Sequence, residues 1–184
     1  LAQSSNLKVI ATVSVKSSAT ITTSALSDDS PQRRLSSDMA DALNKLGGVS
    51  VSTSSSDSDA TQTISLNGED ASQTVVTLDG IPLNGPGSAA DLGSFATGLF
   101  HGASVSMGPQ AGGLAGGVSF TTMQPTLSWH SQGSLQVGTL GRNTEQFGES
   151  GTTGKFGIAV EGLHELQPSW LDGMYYLDTS GLAY

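Results

Sequence analysis

Residues 74–87 read TVVTLDGIPLNGPG, and this stretch restricts the fold more tightly than any other in the chain. Asp79-Gly80 supplies two adjacent residues that tolerate positive φ, which is what a two-residue type I′ turn between antiparallel strands demands. SQTVVTL (72–78) should therefore double back onto IPL (81–83), and Asn84-Gly85-Pro86-Gly87 should end the returning strand. A chain organised around such a hairpin needs strands and turns more than helices. Its composition agrees: only 12% of residues are charged and 36% apolar, against roughly 25% and 45–50% in ordinary globular domains. Ser, Thr, Gln and 24 glycines fill the difference. Ser and Thr compete for backbone hydrogen bonds and Gly costs chain entropy, so long helices are disfavoured.

The net charge is −9, with seven Lys and Arg in all. Nucleic-acid binding needs clustered positive charge, and the densest basic spot, Arg33-Arg34, reads as an ordinary solvated turn. Nucleic acid is excluded as a partner. There is no cysteine, which removes disulfide frameworks, thiolate zinc sites and thiol catalysis. The chain opens on Leu1 without a charged-then-apolar leader, so the expectation is that a leader has been removed. No run approaches the ~18 apolar residues of a membrane helix. If the chain meets a membrane, β-barrel strands are the remaining way to span it.

LKVIATVSV (7–15) alternates as a strand, and the Ser/Thr-rich stretch 17–32 reads as a linker. In SSDMADALNKLGG (36–48), Met39, Ala42, Leu43 and Leu46 form one apolar stripe at helical spacing. Ser37 or Asp38 can cap this helix, Lys45 suits its last turn, and Gly47 offers a left-handed stop. Strands are expected at 49–52, 63–68, 103–108 and 116–122, with a helical turn within 89–100 and a Gly-rich bend at 108–117. After Pro125 the pattern changes. Residues 126–138 set Trp129, Leu135 and Val137 against His130, Gln132, Ser134 and Gln136, and KFGIAVEG (155–162) sets Phe156, Ile158 and Val160 against Lys155, Ala159 and Glu161. Together with a weaker strand at 143–151, this fits a barrel wall with lipid outside and water inside. It also fits an ordinary antiparallel sheet with one wet face.

ISLNG (64–68), VVTLDGIPLNGPG (75–87), Asp91-Leu92 and SVSMGPQAGGLAGGVSFTT (104–122) occur in that order. The series resembles the plug domain of TonB-dependent outer-membrane receptors, over roughly residues 7–166. The resemblance implies an α+β fold: a small mixed β-sheet plug with one or two short helices, followed by antiparallel strands of an incomplete transmembrane β-barrel. In the family the plug sits inside a barrel of about 22 strands. Three departures stand out. Asn67 replaces the usual Arg before Gly68, the usual acidic residue near His101-Gly102-Ala103 is missing, and Leu114-Ala115-Gly116 lacks an aromatic. Charges of that kind help lock the family's plug to its barrel, so here the lock must be weaker, uncharged or placed elsewhere.

No catalytic constellation is present. His101, His130 and His164 have no ligand-spaced neighbours and read as ordinary surface or lumen histidines, and no G-x-S-x-G elbow or phosphate loop occurs. Asp57 and Asp59, with Glu69 and Asp70, lack the rest of a calcium-loop pattern and read as a solvated polar loop. Neither a metal nor a cofactor is expected. The resemblance implies substrate contact on outward plug loops, here 54–60, 84–88 and 109–113, with Ser56, Asp57, Asp59, Asn84, Gly85, Pro109 and Gln110 as candidate residues. Val9, Ile10, Ala11, Thr12 and Val13 form an extended apolar segment that could recruit an energy-transducing partner by strand addition, or simply pack as a strand.

The expected organisation is a mobile N-terminal segment (1–30), a plug (31–125) and the first barrel strands with an outer loop (126–184). Residues 126–184 hold about four strands at ~10 residues each, and a closed barrel needs at least about 8. The expectation is therefore the N-terminal part of a longer receptor; otherwise the rest of the barrel comes from elsewhere, or these strands serve another assembly. The function implied is gating of an outer-membrane transporter for a small chelate or nutrient, opened by a TonB-like periplasmic partner, with no enzymatic activity. A β-rich structural subunit of a surface layer or filament is the alternative, since charge-poor alternating strands favour edge-to-edge assembly.

Overall fold

The computed structural model describes residues 22–36, 39–54, 60–109, 113–138, 143–168 and 176–183. Segment 7–15 and the cap candidates Ser37 and Asp38 lie outside the described residues. The elements run β1 (Thr22–Ser27), α1 (Pro31–Arg34), α2 (Met39–Asn44), β2 (Val49–Thr53), β3 (Gln62–Leu66), β4 (Thr74–Leu78), β5 (Ile81–Pro82), β6 (Gly102–Met107) and β7 (Gly116–Thr121). Four longer strands follow: β8 (His130–Val137), β9 (Asn143–Thr153), β10 (Phe156–Pro168) and β11 (Tyr176–Ala183).

The first half builds a five-stranded mixed sheet in the order β1-β6-β7-β4-β5. Only β4 and β7 run parallel, and β2 pairs with β3 as a separate two-stranded ribbon. The α+β expectation holds. Period-two alternation puts Thr74 and Val76, Ala103 and Val105, and Val118 and Phe120 on one face of the sheet, all buried. Against them pack Met39 and Leu43 of α2, Ile64 and Leu66 of β3, Leu92 and Phe100. The Phe100 and Phe120 rings lie 4.7 Å apart, tilted by 36°, within the range where offset aromatic pairs attract.

Asp79 and Gly80 both have positive φ, 48° and 83°, and Leu78 pairs with Ile81, so the I′ hairpin forms as expected. Asn67 and Gly68 repeat the device, at 54° and 77°. That explains the first departure noted above: Asn tolerates the left-handed region far better than Arg does. The Gly-rich bend is required by contact. A Cβ on Gly116 would lie 2.1 Å from the Ser106 carbonyl oxygen at a φ of +136°.

Several expectations need correction. The Ser/Thr-rich stretch 17–32 is not all linker: Thr22–Ser27 is an edge strand of the mixed sheet, antiparallel to β6. It eluded the pattern because Leu26 is its one buried apolar side chain among those described. Arg33-Arg34 is not a solvated turn but the end of α1, a single turn begun by Pro31, with Arg33 buried. α2 is shorter than 36–48, because Lys45 and Leu46 donate to carbonyls three residues back and tighten the end. The left-handed stop falls on Gly48, at φ +79°, instead of Gly47. The turn within 89–100 is two 3₁₀ turns, Leu92–Ser94 and Thr97–Leu99.

The long strands form a meander in the order β11-β10-β9-β8, with antiparallel neighbours throughout. Thr144, Gln146, Gly148 and Ser150 of β9 alternate with Glu145, Phe147 and Glu149, and the first set is covered while the second is exposed. The register sets Gln132 beside Gly148 and Gly148 beside Glu161, all on the covered side toward the mixed sheet. The opposite face exposes Trp129, Leu135, Val137, Phe147, Phe156 and Ile158. Two aromatics on this sheet cover glycines: the Phe147 ring lies over Gly162 and the Trp129 ring over Gly151, where any Cβ would collide. Glu145, Glu149 and His164 interrupt the apolar face. Glu149 accepts a hydrogen bond from Ser131, and His164 faces Glu145 at 3.9 Å.

Candidate functional site

Where the two sheets meet, β10 presents Glu161 to the mixed sheet with 0% of its surface exposed. A buried carboxylate needs partners, and here they come from both sides of the seam. His101, just before β6, donates from Nε2 to Glu161 Oε1 at 2.8 Å. Gln146 of β9 donates from Nε2 to the same oxygen at 2.5 Å and to the Gly98 carbonyl at 3.2 Å. Among the described residues, Glu161 Oε2 has no hydrogen-bond partner. On its other side, His101 donates from Nδ1 to Asp28, which follows β1. Arg33 Nε lies 3.9 Å from the second Asp28 oxygen.

An imidazole with a carboxylate at each nitrogen satisfies both only as the doubly protonated cation. Burial opposes that charge on His101, but the hydrogen bonds and negative charges of Asp28 and Glu161 outweigh it and lift its pKa from 6.5 to about 9. The seam is thus an ion pair reaching from one sheet to the other. A Cβ on Gly98 would lie 3.0 Å from the Leu163 side chain of β10, so apolar packing continues the contact. Beside it lies a cavity of about 310 Å³ lined by Asp28, Arg33, His101, Gln132, Ser134 and Gln146, among others.

The hairpin holds the segment that joins the sheets. Asp79 accepts from the Thr122 backbone N–H at 3.1 Å and from its hydroxyl at 2.7 Å, and the Asp79 N–H donates to the Phe120 carbonyl. The chain leaving β7 for β8 is therefore clamped to the turn. At the far end of the hairpin, Asn84 accepts from Val76 N–H at 2.6 Å and donates to the carbonyls of Thr74 and Ser88.

The family model described as the TonB-dependent receptor plug domain matches residues 15–118, more than half of the chain. The chain belongs to this family. The mixed sheet is its plug and the long-strand sheet is the start of a barrel. Solved structures agree at the level of fold. The ferric-catecholate import receptor Fiu of E. coli matches with 17% identity and a TM-score of 0.64 over 88% of this chain and 23% of that one. The siderophore receptor PiuA of Acinetobacter baumannii matches with 14% identity and a TM-score of 0.64, over the same shares. The copper transporter OprC matches with 18% identity and a TM-score of 0.59, over 78% of this chain and 23% of that one. The chain spans about a quarter of the length of these structures. No curated protein sequence matches it.

Of the candidate substrate residues, Ser56, Asp57, Asp59 and Gln110 lie outside the described residues, as do the partner-binding candidates Val9, Ile10, Ala11, Thr12 and Val13. Gly85 and Pro109 are exposed at loop tips. Asn84 lies beside Gly85, but its amide is engaged by plug backbone. Asp70 caps the 3₁₀ turn Ala71–Gln73 through Ser72. What sequence reasoning missed is the seam. His101 is not an ordinary surface or lumen histidine: it bridges Asp28 and Glu161 across the two sheets. One signal was available: Glu161 is an acid on the water-side alternation of β10.

Proposed function

We propose that this chain is the gate of an outer-membrane transporter. Its plug occludes a barrel whose first strands are β8 to β11, and the plug's outward loops take part in capturing a small metal chelate or comparable nutrient. A TonB-like periplasmic partner, recruited through residues 9–13, opens the gate by pulling on the N-terminal segment. The work is transport driven by protein contact, with no bond made or broken in the substrate. The plug's grip on the barrel start through His101 and Glu161 carries this reading. A plug that fills a pore must hold the wall reversibly, and a contact centred on a hydrogen-bonded ion pair, with local apolar packing at Gly98 and Leu163, suits that.

The substrate class rests on the structural relatives, which are named as a ferric-catecholate import receptor, a siderophore receptor and a copper transporter. Their low identity carries fold and not substrate, so Ser56, Asp57, Asp59, Gly85, Pro109 and Gln110 are proposed as contacts from loop position. A structural subunit would not need a plug family match or a buried ionic seam, and nothing specific favours it. Removing residues 9–13 from the intact receptor should abolish both energy-dependent uptake and binding of the periplasmic partner. Unchanged uptake would overturn the gating reading.

A further inference from the structure

We propose that Asp28 is a positioning residue that couples β1 to the plug–barrel contact: it holds His101 against Glu161, so withdrawal of β1 loosens the plug from the wall. The inference rests on the gating reading in one respect, that tension reaches the plug through its N-terminal segment.

β1 is the strand best placed to leave. It lies at the edge of the mixed sheet and pairs with β6 alone. Among its described side chains only Leu26 is buried, whereas β4, β6 and β7 each place at least two residues in the core. Tension entering at Thr22, opposite Met107, reaches the Ser27–Gly102 pair last. Asp28 follows at once. The Ser27–Ser30 turn holds it: Ser30 N–H donates to the Ser27 carbonyl at 2.9 Å, and Ser27 N–H donates to Ser30 Oγ at 2.8 Å.

Among the described residues, Arg34 and His130 line cavities that His101 also lines, and the groups nearest its ring are these. Asp28 faces Nδ1, with Arg33 of α1 behind it; Glu161 of β10 faces Nε2; Gln146 of β9 and Gln132 of β8 contribute neutral amides. With both carboxylates present, only the imidazolium satisfies both nitrogens. Without Asp28, burial and a single carboxylate remain, and a neutral imidazole can still donate one N–H to Glu161. The contact then loses its cation and becomes a hydrogen bond from a neutral donor to a carboxylate, without the ion-pair attraction. Glu161, fully buried, is left without a counter-ion, which is the arrangement a low-dielectric seam tolerates least.

The test needs no periplasmic partner, so its failure is separable from failure of the gating reading. In the intact receptor, the His101 ring is titrated by NMR in the parent, Asp28→Asn, Asp28→Glu and a variant lacking residues 22–27. Plug release in urea is measured for Asp28→Asn, Glu161→Gln and the double variant, through a label on a cysteine introduced at Ser104. Asp28→Asn and the β1 deletion should each lower the His101 midpoint by about one unit or more, and Asp28→Glu should restore it. The double variant should release no more easily than Glu161→Gln alone. An unmoved midpoint in Asp28→Asn, or strictly additive effects on release, would overturn the proposal. Asp28 is half exposed, so Asp28→Asn tests the coupling even if Glu161→Gln fails to assemble.

Discussion

Asn84 and His101 are the two side chains on which the plug's local geometry turns. Asn84 ties the end of the hairpin to β4 through two hydrogen bonds and to the Ser88 carbonyl through a third. Asn84→Ala strands partly buried backbone groups and should destabilise the plug by about 1–3 kcal/mol, read from the urea midpoint. Asn84→Asp, which keeps the acceptor for Val76 N–H and loses both donors, should fall between. His101 gives a pH signature. Its folded pKa of about 9 lies above the ordinary 6.5, so its charge adds stability that is complete below pH 6.5 and is lost as pH rises through about 9. The stability gap between the parent and His101→Gln should therefore close between mildly acidic and strongly alkaline buffer. A gap that widened with pH would contradict the ion pair. At this scale the sequence was partly legible. Asp79-Gly80 announced its turn because few residue pairs accept two positive φ values in succession. His101 and Glu161 did not announce themselves, because they lie 60 positions apart in the chain.

Among elements, β6 and β7 approach most closely at Gly116, where a Cβ has no room beside Ser106. Gly116→Ala should open that end of the pair, and faster amide hydrogen exchange at Ser106 and Met107 would report it. Leu26 is the described core anchor of β1, and Leu26→Ala should cost about 2–5 kcal/mol in plug stability, with protection lost first along β1. Elements were legible where alternation or turn chemistry was strong, as in β3, β4, β7 and the meander. β1 was not, since Ser and Thr outnumber apolar residues in it and its partner lies far along the chain. α1 was hidden for a different reason. One turn is too short to show an apolar stripe, and the buried stem of Arg33 resembles any surface arginine in a sequence.

For the whole molecule, the two faces of the meander make opposite demands. Leu135 and Phe156 lie on the apolar face. Replacing Leu135 with Arg should impair assembly into membranes by about 2–4 kcal/mol if it lies at mid-depth, whereas Ser134→Arg, on the polar side, should be tolerated. Folding of the intact receptor into lipid vesicles, followed by heat-modifiable gel mobility, distinguishes the two. Equal impairment would mean that both faces meet lipid, or neither.

The Asp79–Thr122 clamp has a consequence for how a passage could form. The turn grips the chain just where it departs for the barrel. If the gate opens by tension on the N-terminal segment, as proposed, the plug should hinge on that side and the opposite edge, β1, should swing. Any channel should then open asymmetrically, along the flank from which β1 has been drawn, and Asp79→Ala should turn a hinged door into a loose panel that leaks without being pulled.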